Sequence, residues 1–387
     1  MSPRRESMAL PELQRWLEQR QALWTEILEE LVRIESPSGD AAALQQCAEA
    51  VAGWIQRLLG PSPVELGSEQ GVPHLTLRSG EGPGVLLLAH LDTVWGVGSF
   101  QPLFEIQGGR ASGPGVFDMK GGVVIALAAL AALRERGGQS LPVTLLCTGD
   151  EEVGSPASRS LIEREATRSA AVLVLEAASG QAVKVARKGV GGYRLRLLGR
   201  AAHAGLEPER GVNAVVELAG LVAGVAAIAS PELGTTVTPT VFQGGQRTNV
   251  VPAEAALEVD VRFATAAEAD RVDRELHRLR PAHPEAVLEV HGGANRPPLE
   301  RPASNSLFEI ATHVAAGLGW PPLEGISVGG GSDGNFTAAL GVPTLDGLGA
   351  VGGNAHAAGE WIELTSLASR AALLAGCIER IGEESSS

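Results

Sequence analysis

The stretch LPVTLLCTGDEEVGS, residues 141–155, runs from an apolar, strand-like segment straight into three consecutive acids, Asp150, Glu151 and Glu152. A chain leaving a strand ordinarily enters a turn or a helix, and adjacent carboxylates repel one another. A solvated loop accommodates such a cluster; a metal site accounts for it better if other segments supply further ligands. The flanking sequence sets the context. Residues 85–88 form a short apolar run, and GGVVIALAALAALRERGG (121–138) reads as a helix apolar on most faces, hence buried. Residues 155–168 read as a helix with Ser155 as its N-cap, and 172–175 as a further strand. Strands alternating with helices predict an α/β catalytic domain with a mostly parallel sheet flanked by helices.

Further out the texture changes twice. Residues 13–59 carry apolar positions at helical spacing, broken at ESPSGD (35–40). From about residue 185, YRLRLLG (193–199), TVTPTVFQGG (236–245) and AALEVDVRF (255–263) alternate in period two, as antiparallel strands covered on one face do. Helical stretches at 212–227 and 266–279 separate them. After about residue 296 the first texture returns, with helices at 306–318 and 364–381 and a strand at 343–345. The expected organisation is therefore a catalytic domain in two parts, 1–184 and 296–387, interrupted at 185–295 by an inserted α+β domain with an antiparallel four-stranded sheet. The last residues, EESSS, read as a disordered tail.

Bulk properties exclude several classes. The net charge of −14 on 387 residues argues against a nucleic-acid or anionic-membrane binder. Three scattered cysteines, Cys47, Cys147 and Cys377, form no disulfide framework and suit a reducing cytoplasm. MSPRRESMALPELQRW has no apolar segment behind its arginines, and the apolar run at 123–133 is shorter than the ~18–20 residues that span a bilayer. The expectation is a cytoplasmic protein without membrane or nucleic-acid partners.

Polar residues recur where sheet segments end. AHLDTV (89–94) holds His90 and Asp92, whose spacing of two in extended chain puts both on one face, so that the carboxylate can orient the imidazole. GPGVFDMKGG (113–122) places Asp118 just before the buried helix, LVLEAASG (173–180) ends in Glu176, and GGNAHAAGE (352–360) carries His356. Taken singly, each has a plain structural alternative: a surface His–Asp bond, or a carboxylate capping a helix N-terminus. Sites in open α/β sheets, however, lie at the carboxyl ends of the strands, which brings His90, Glu151 and Glu176 to one edge. The inventory suits two zinc ions, one taking His90, Glu176 and a shared Asp118, the other His356, Glu152 and the same Asp118. Two dications against three carboxylates leave a net positive centre. Glu151 is left over, as a general base requires.

With these motifs in hand, the chain resembles the co-catalytic zinc metallopeptidases that include bacterial glutamate carboxypeptidase, aminoacylases and acetylornithine deacetylase. The resemblance rests on AHLDTVW, GPGVFDMKGG, TGDEEVGS, LVLEAASG, RAAHAGLEPERGVNA, GGQRTNVVPAEA, DVRF, GGGSDGNFTA and NAHAAGE, in that order. AHAGLEPERGVNA and GGGSDGNF point to the glutamate carboxypeptidase branch. The resemblance implies that His90, Asp118, Glu152, Glu176 and His356 bind two zinc ions per subunit, with cobalt or manganese suiting the same ligands. It implies Asp92 as the orienting carboxylate, Glu151 as the base, and a cis peptide after Asp118. The inserted domain becomes a lid that forms a homodimer, with His203 reaching across it to polarise the scissile carbonyl. Asn249 and Arg262 become contacts for a substrate carboxylate, with Gly331 and Ser332 lining the same pocket. The implied substrate is a small peptide or N-acyl amino acid, cleaved to release a C-terminal glutamate or similar residue. Alternatives on the same centre are an N-acyl-amino-acid deacylase and an aminopeptidase; an inactive binding relative is opposed by the intact set of site residues. Two departures stand out: no leader like that of the secreted glutamate carboxypeptidases is visible, and no motif marks the acyl pocket. Asp150 has no assigned role.

Overall fold

A computed structural model describes residues 9–137 and 141–385. The N-terminal MSPRRESM, the end of the 121–138 reading and the last two residues of the tail fall outside them. The chain divides into two compact units.

The first unit comprises the chain up to Ala186, Arg301–Ser327, and everything from Ser332 onward. Its six-stranded sheet has the order Val64–Glu69, Val72–Ser79, Val143–Thr148, Val85–His90, Ala171–Val174, Thr344–Leu345. The last four run parallel, and the first two add an antiparallel edge. Strand Val85–His90 is buried throughout because helices cover both faces. Val85, Leu87 and Ala89 enter the main core, while Leu86 and Leu88 join Leu146, Val172, Val174 and Phe336 on the other side.

Helix Gly121–Glu135 is buried from Gly121 through Leu133 and packs against helices Ala41–Leu59 and Thr365–Ser385. Together with the preceding turn it forms the segment Val116–Glu135, long and apolar enough to cross a membrane by length and composition, yet mostly buried within the protein. It is a core helix. Its start lies unusually close to the sheet: a Cβ on Gly122 would sit 2.1 Å from the Leu175 carbonyl oxygen. Only glycine lets the segment carrying Asp118 approach the strand end carrying Glu176 this closely.

The second unit comprises Arg187–Glu300 and Val328–Gly331. Its antiparallel sheet has the order Thr236–Gly244, Glu254–Phe263, Gly189–Leu198, Val287–Arg296. Tyr193, Leu195, Leu197, Leu257, Val259 and Val261 face a core shared with helices Ala214–Ala226 and Ala266–Arg278. The alternate positions carry ion pairs such as Arg194–Glu258 and Arg196–Glu254. The fold is thus the α/β class read from the sequence, with a separate antiparallel α+β portion.

Two local expectations are corrected. Ser155 is not a helix cap: the helix spans Arg159–Thr167, and the Ser155 hydroxyl hydrogen-bonds Asp333 instead. The amides of Ala157 and Ser158 are taken by Asp150 Oδ2 at 2.8 and 3.2 Å, which gives the third acid a structural role. The start of EESSS is helical through Ser385, since Arg380 pairs with Glu383 and Glu384 one turn on.

Candidate metal centre

Register brings the strand ends together. His90 lies opposite Thr148, and Leu88 opposite Val174. His90, the acidic turn after Thr148, and Glu176 two residues past Val174 therefore reach the same edge of the sheet. His90 Nε2 is 3.3 Å from Asp118 Oδ1 and 3.7 Å from Glu176 Oε1. The other oxygen of Asp118, Oδ2, is 3.3 Å from His356 Nε2, which lies 3.1 Å from Glu152 Oε2. Asp118 thus divides its two oxygens between two imidazoles, each with its own glutamate. The peptide bond between Asp118 and Met119 is cis. Ligand atoms of His90, Glu151 and Glu176 also lie within 4.8 Å of one another, as do those of His90, Asp118 and Glu152, so Glu151 stands beside the same imidazole.

Asp92 organises this arrangement. His90 Nδ1 is 2.9 Å from the Asp92 carbonyl oxygen and 3.3 Å from its carboxylate, so the backbone oxygen is the nearer acceptor. The carboxylate accepts from the amides of Glu151 and Glu152, both at 3.1 Å, and from the Ser38 hydroxyl at 2.7 Å. One buried aspartate therefore orients an imidazole and seats both members of the glutamate pair. Ser38 carries no signal of this contact in the sequence, since ESPSGD reads only as a turn. Glu360, the last letter of NAHAAGE, carries no local signal either, and is fully buried beside Asp118.

The donor set fits divalent cations. With His90 Nδ1 donating to Asp92, Nε2 aims a lone pair at carboxylate oxygens, a contact relieved only by a proton or a cation. In the metal-free protein the proton fills that place. Burial alone would depress His90, but its bonds to Asp118 and Asp92 hold it well above the ordinary histidine range. Hydrogen bonds to Asp118 and Glu152 push His356 up to about 10. Burial opposes the charge on Asp118, yet the two histidines hold it far below the usual carboxylate range. Metal binding must displace those protons.

A pH dependence follows. The folded value of His356 lies above the ordinary 6.5, so its contribution to the metal-free protein is complete below 6.5 and lost as pH rises through about 10. Across that window the metal-free protein should lose stability as pH rises, while its zinc affinity should rise. Melting of the EDTA-treated protein and zinc calorimetry in buffers of different ionisation enthalpy would check both. A zinc affinity that stays flat across the window would contradict the linkage.

The second unit holds other expected residues. Ala202–His203 pairs with Val250–Val251, and the Ala204 amide donates to the Asn249 carbonyl oxygen, so His203 and Asn249 share one small ladder. His203 Nδ1 accepts from the amides of Gly205 and Leu206, both at 3.1 Å, which leaves Nε2 to carry the proton on an exposed side chain. Arg262 already forms a two-pronged pair with Asp260, through Nε and Nη2 at 3.0 Å each. The carbonyl oxygens of Gly330 and Gly331 accept from Arg187 Nη1 at 3.1 and 3.2 Å. Ser332, in the first unit, is fully buried, and its hydroxyl donates to Asp346 Oδ2 at 2.6 Å. Through that bond its side chain braces the loop.

A carboxylate shared between two histidines, set beside the carboxyl ends of parallel strands with a further glutamate alongside, is the apparatus of a metal-dependent hydrolase of peptides or related amides. Residues 86–380 match Peptidase family M20/M25/M40, and the chain belongs to that family. It is 32% identical over 282 residues to carboxypeptidase G2 of a Pseudomonas species, covering 70% of this chain and 67% of the other. It is 28% identical over 388 residues to a succinyl-diaminopimelate desuccinylase of Thioalkalivibrio sulfidiphilus, covering 92% and 98%. Among solved structures, aminopeptidase PepT of Bacillus cereus matches with a TM-score of 0.76 at 21% identity, over 93% of this chain and 98% of that one. An M20 family metallo-carboxypeptidase of Sulfolobus solfataricus matches at 0.69 and 17%, over 93% and 99%. At those identities the solved structures speak for the fold alone.

Proposed function

We propose that this metallopeptidase hydrolyses an amide bond next to a free carboxylate, releasing a C-terminal glutamate or similar residue from a small peptide or N-acyl amino acid. The observation that carries the reading is Asp118 divided between His90 and His356, each backed by its own glutamate, with Glu151 beside them. His90, Glu176 and Asp118 would hold one zinc ion; His356, Glu152 and Asp118 the other; cobalt or manganese suits the same donors. Such a pair supplies Lewis-acid polarisation of the carbonyl and lowers the pKa of the attacking water. Glu151 accepts the water's proton on its carboxylate and passes it to the departing amine. His203, with its outward Nε2–H, donates to the carbonyl oxygen as negative charge grows there, reaching across a homodimer formed through the antiparallel unit. Arg262, Asn249 and the Gly331 loop hold the substrate carboxylate. For Arg262 this needs Nη1, since Asp260 occupies the other prongs. A cytoplasmic setting is supported by three buried free thiols.

Similarity to carboxypeptidase G2 supports release of a C-terminal residue. Similarity to a desuccinylase along nearly the whole chain favours a second reading, removal of an acyl group from an amino acid. A panel of N-acyl amino acids and dipeptides with varied C-terminal residues, assayed with zinc and with EDTA, separates them. Preference for C-terminal acidic residues, abolished by EDTA and restored by zinc, is expected. Preference for a free α-amine, or turnover unaffected by EDTA, would overturn the proposal.

A further inference from the structure

Glu360 lies four residues beyond His356, at the joint between its loop and the strand Trp361–Glu363, and is fully buried. Its carboxylate takes four N–H groups. Oε1 accepts from the amides of Phe117 and Asp118 at 2.8 and 3.0 Å. Oε2 accepts from the Trp95 indole at 2.8 Å and the Gly115 amide at 3.2 Å. Its carbonyl oxygen accepts from the Ser112 hydroxyl at 2.7 Å. Trp95 stands three residues beyond Asp92, and Phe117 immediately precedes Asp118, which carries the shared carboxylate. Three chain segments that hold the expected metal residues, 90–95, 115–118 and 356–360, therefore meet on one side chain.

We propose that Glu360 is a positioning residue that sets Asp118 against His356, and so determines how tightly the ion between them is held. This rests on the metal-centre reading above. The chemistry demands a carboxylate. Both oxygens must accept, and each takes two donors; a glutamine would turn its NH2 toward two of the four N–H groups. Asp118 bonds Glu360 through its own backbone amide, so a displaced Glu360 moves the residue that both imidazoles share. Trp95 ties the same point to the His90 segment, and its ring is steadied edge-on by Phe100 at 4.9 Å.

The test is metal binding by calorimetry with zinc, and by visible absorption with cobalt, on full-length wild type, Glu360→Gln, Trp95→Phe and the double variant. Glu360→Gln should weaken the second ion about 10–100-fold and alter the cobalt spectrum. Trp95→Phe, which removes one of four donors, should weaken that ion less and should fold even if Glu360→Gln does not. The double variant should be no worse than Glu360→Gln, because the indole acts through the carboxylate. Two ions in wild type with unchanged affinities and spectrum in a folded Glu360→Gln would overturn the inference alone. So would unchanged affinity in Trp95→Phe, or additive losses in the double variant. Fewer than two ions in wild type would overturn the metal-centre reading and this inference with it.

Discussion

Glu151→Gln should lower kcat by about 10²–10⁴-fold while leaving both metal positions intact. Glutamine matches the side chain in size but cannot accept a proton. The seating should survive, because residue 151 is held through its backbone amide to Asp92 Oδ1. The five expected ligands are untouched. Single-turnover rates together with metal analysis by emission spectrometry would check the result. Near-normal turnover with two bound ions would defeat the assignment. It would turn attention to Glu176, the other carboxylate within 4.8 Å of a His90 ring nitrogen and of Glu151.

The second large effect is expected at Asp92. Asp92→Asn should cost about 10–100-fold in metal affinity, and a comparable further loss in turnover from the ions that remain. The carboxylate faces donors at both oxygens: Glu151 N at Oδ1, and Glu152 N and Ser38 Oγ at Oδ2. An asparagine amide must turn its NH2 toward one of these sides, so either Glu151 or Glu152 loses its seat. His90 retains its bond to the Asp92 carbonyl oxygen, which predicts a weakened centre, not an empty one. Zinc titration and kcat measured at saturating zinc would separate the two losses. If kcat returned to the wild-type value at saturating zinc, Asp92 would serve His90 and Glu152 and not the seating of Glu151.

Much of this centre is legible in the chain because parallel strands announce themselves. A strand buried on both faces, such as Val85–His90, must be apolar until it leaves the sheet, so the first charged residue marks the edge. His90, Asp150–Glu152 and Glu176 all stand at such edges. Residues whose roles depend on distant partners are not legible in this way. Ser155 resembles a helix cap by position, yet its hydroxyl serves Asp333, 178 residues away. Glu360 sits in a quoted motif, but its partners Phe117 and Asp118 lie 243 and 242 residues upstream. Nothing local in AAGEW signals four donors. The Arg262–Asp260 pair is a nearer case: residues two apart on a strand share a face, so DVR already contains the competitor for the arginine.

The first unit is discontinuous, and this bears on how the protein is made. Strand Thr344–Leu345, His356 and Glu360 are synthesised after the whole antiparallel unit. A nascent chain ending near Ala186 already carries His90, Asp118, Glu151, Glu152 and Glu176, five of the six residues at the centre, but has neither the second imidazole nor the buried carboxylate behind Asp118. Until the chain beyond the antiparallel unit has been made as far as His356, the acids of the centre have only one histidine among them. Bringing His356 to Asp118 and Glu152 is therefore a late, long-range step, the kind of contact whose loop-closure cost slows folding. Capture of a second ion there would follow synthesis of the antiparallel unit, not precede it.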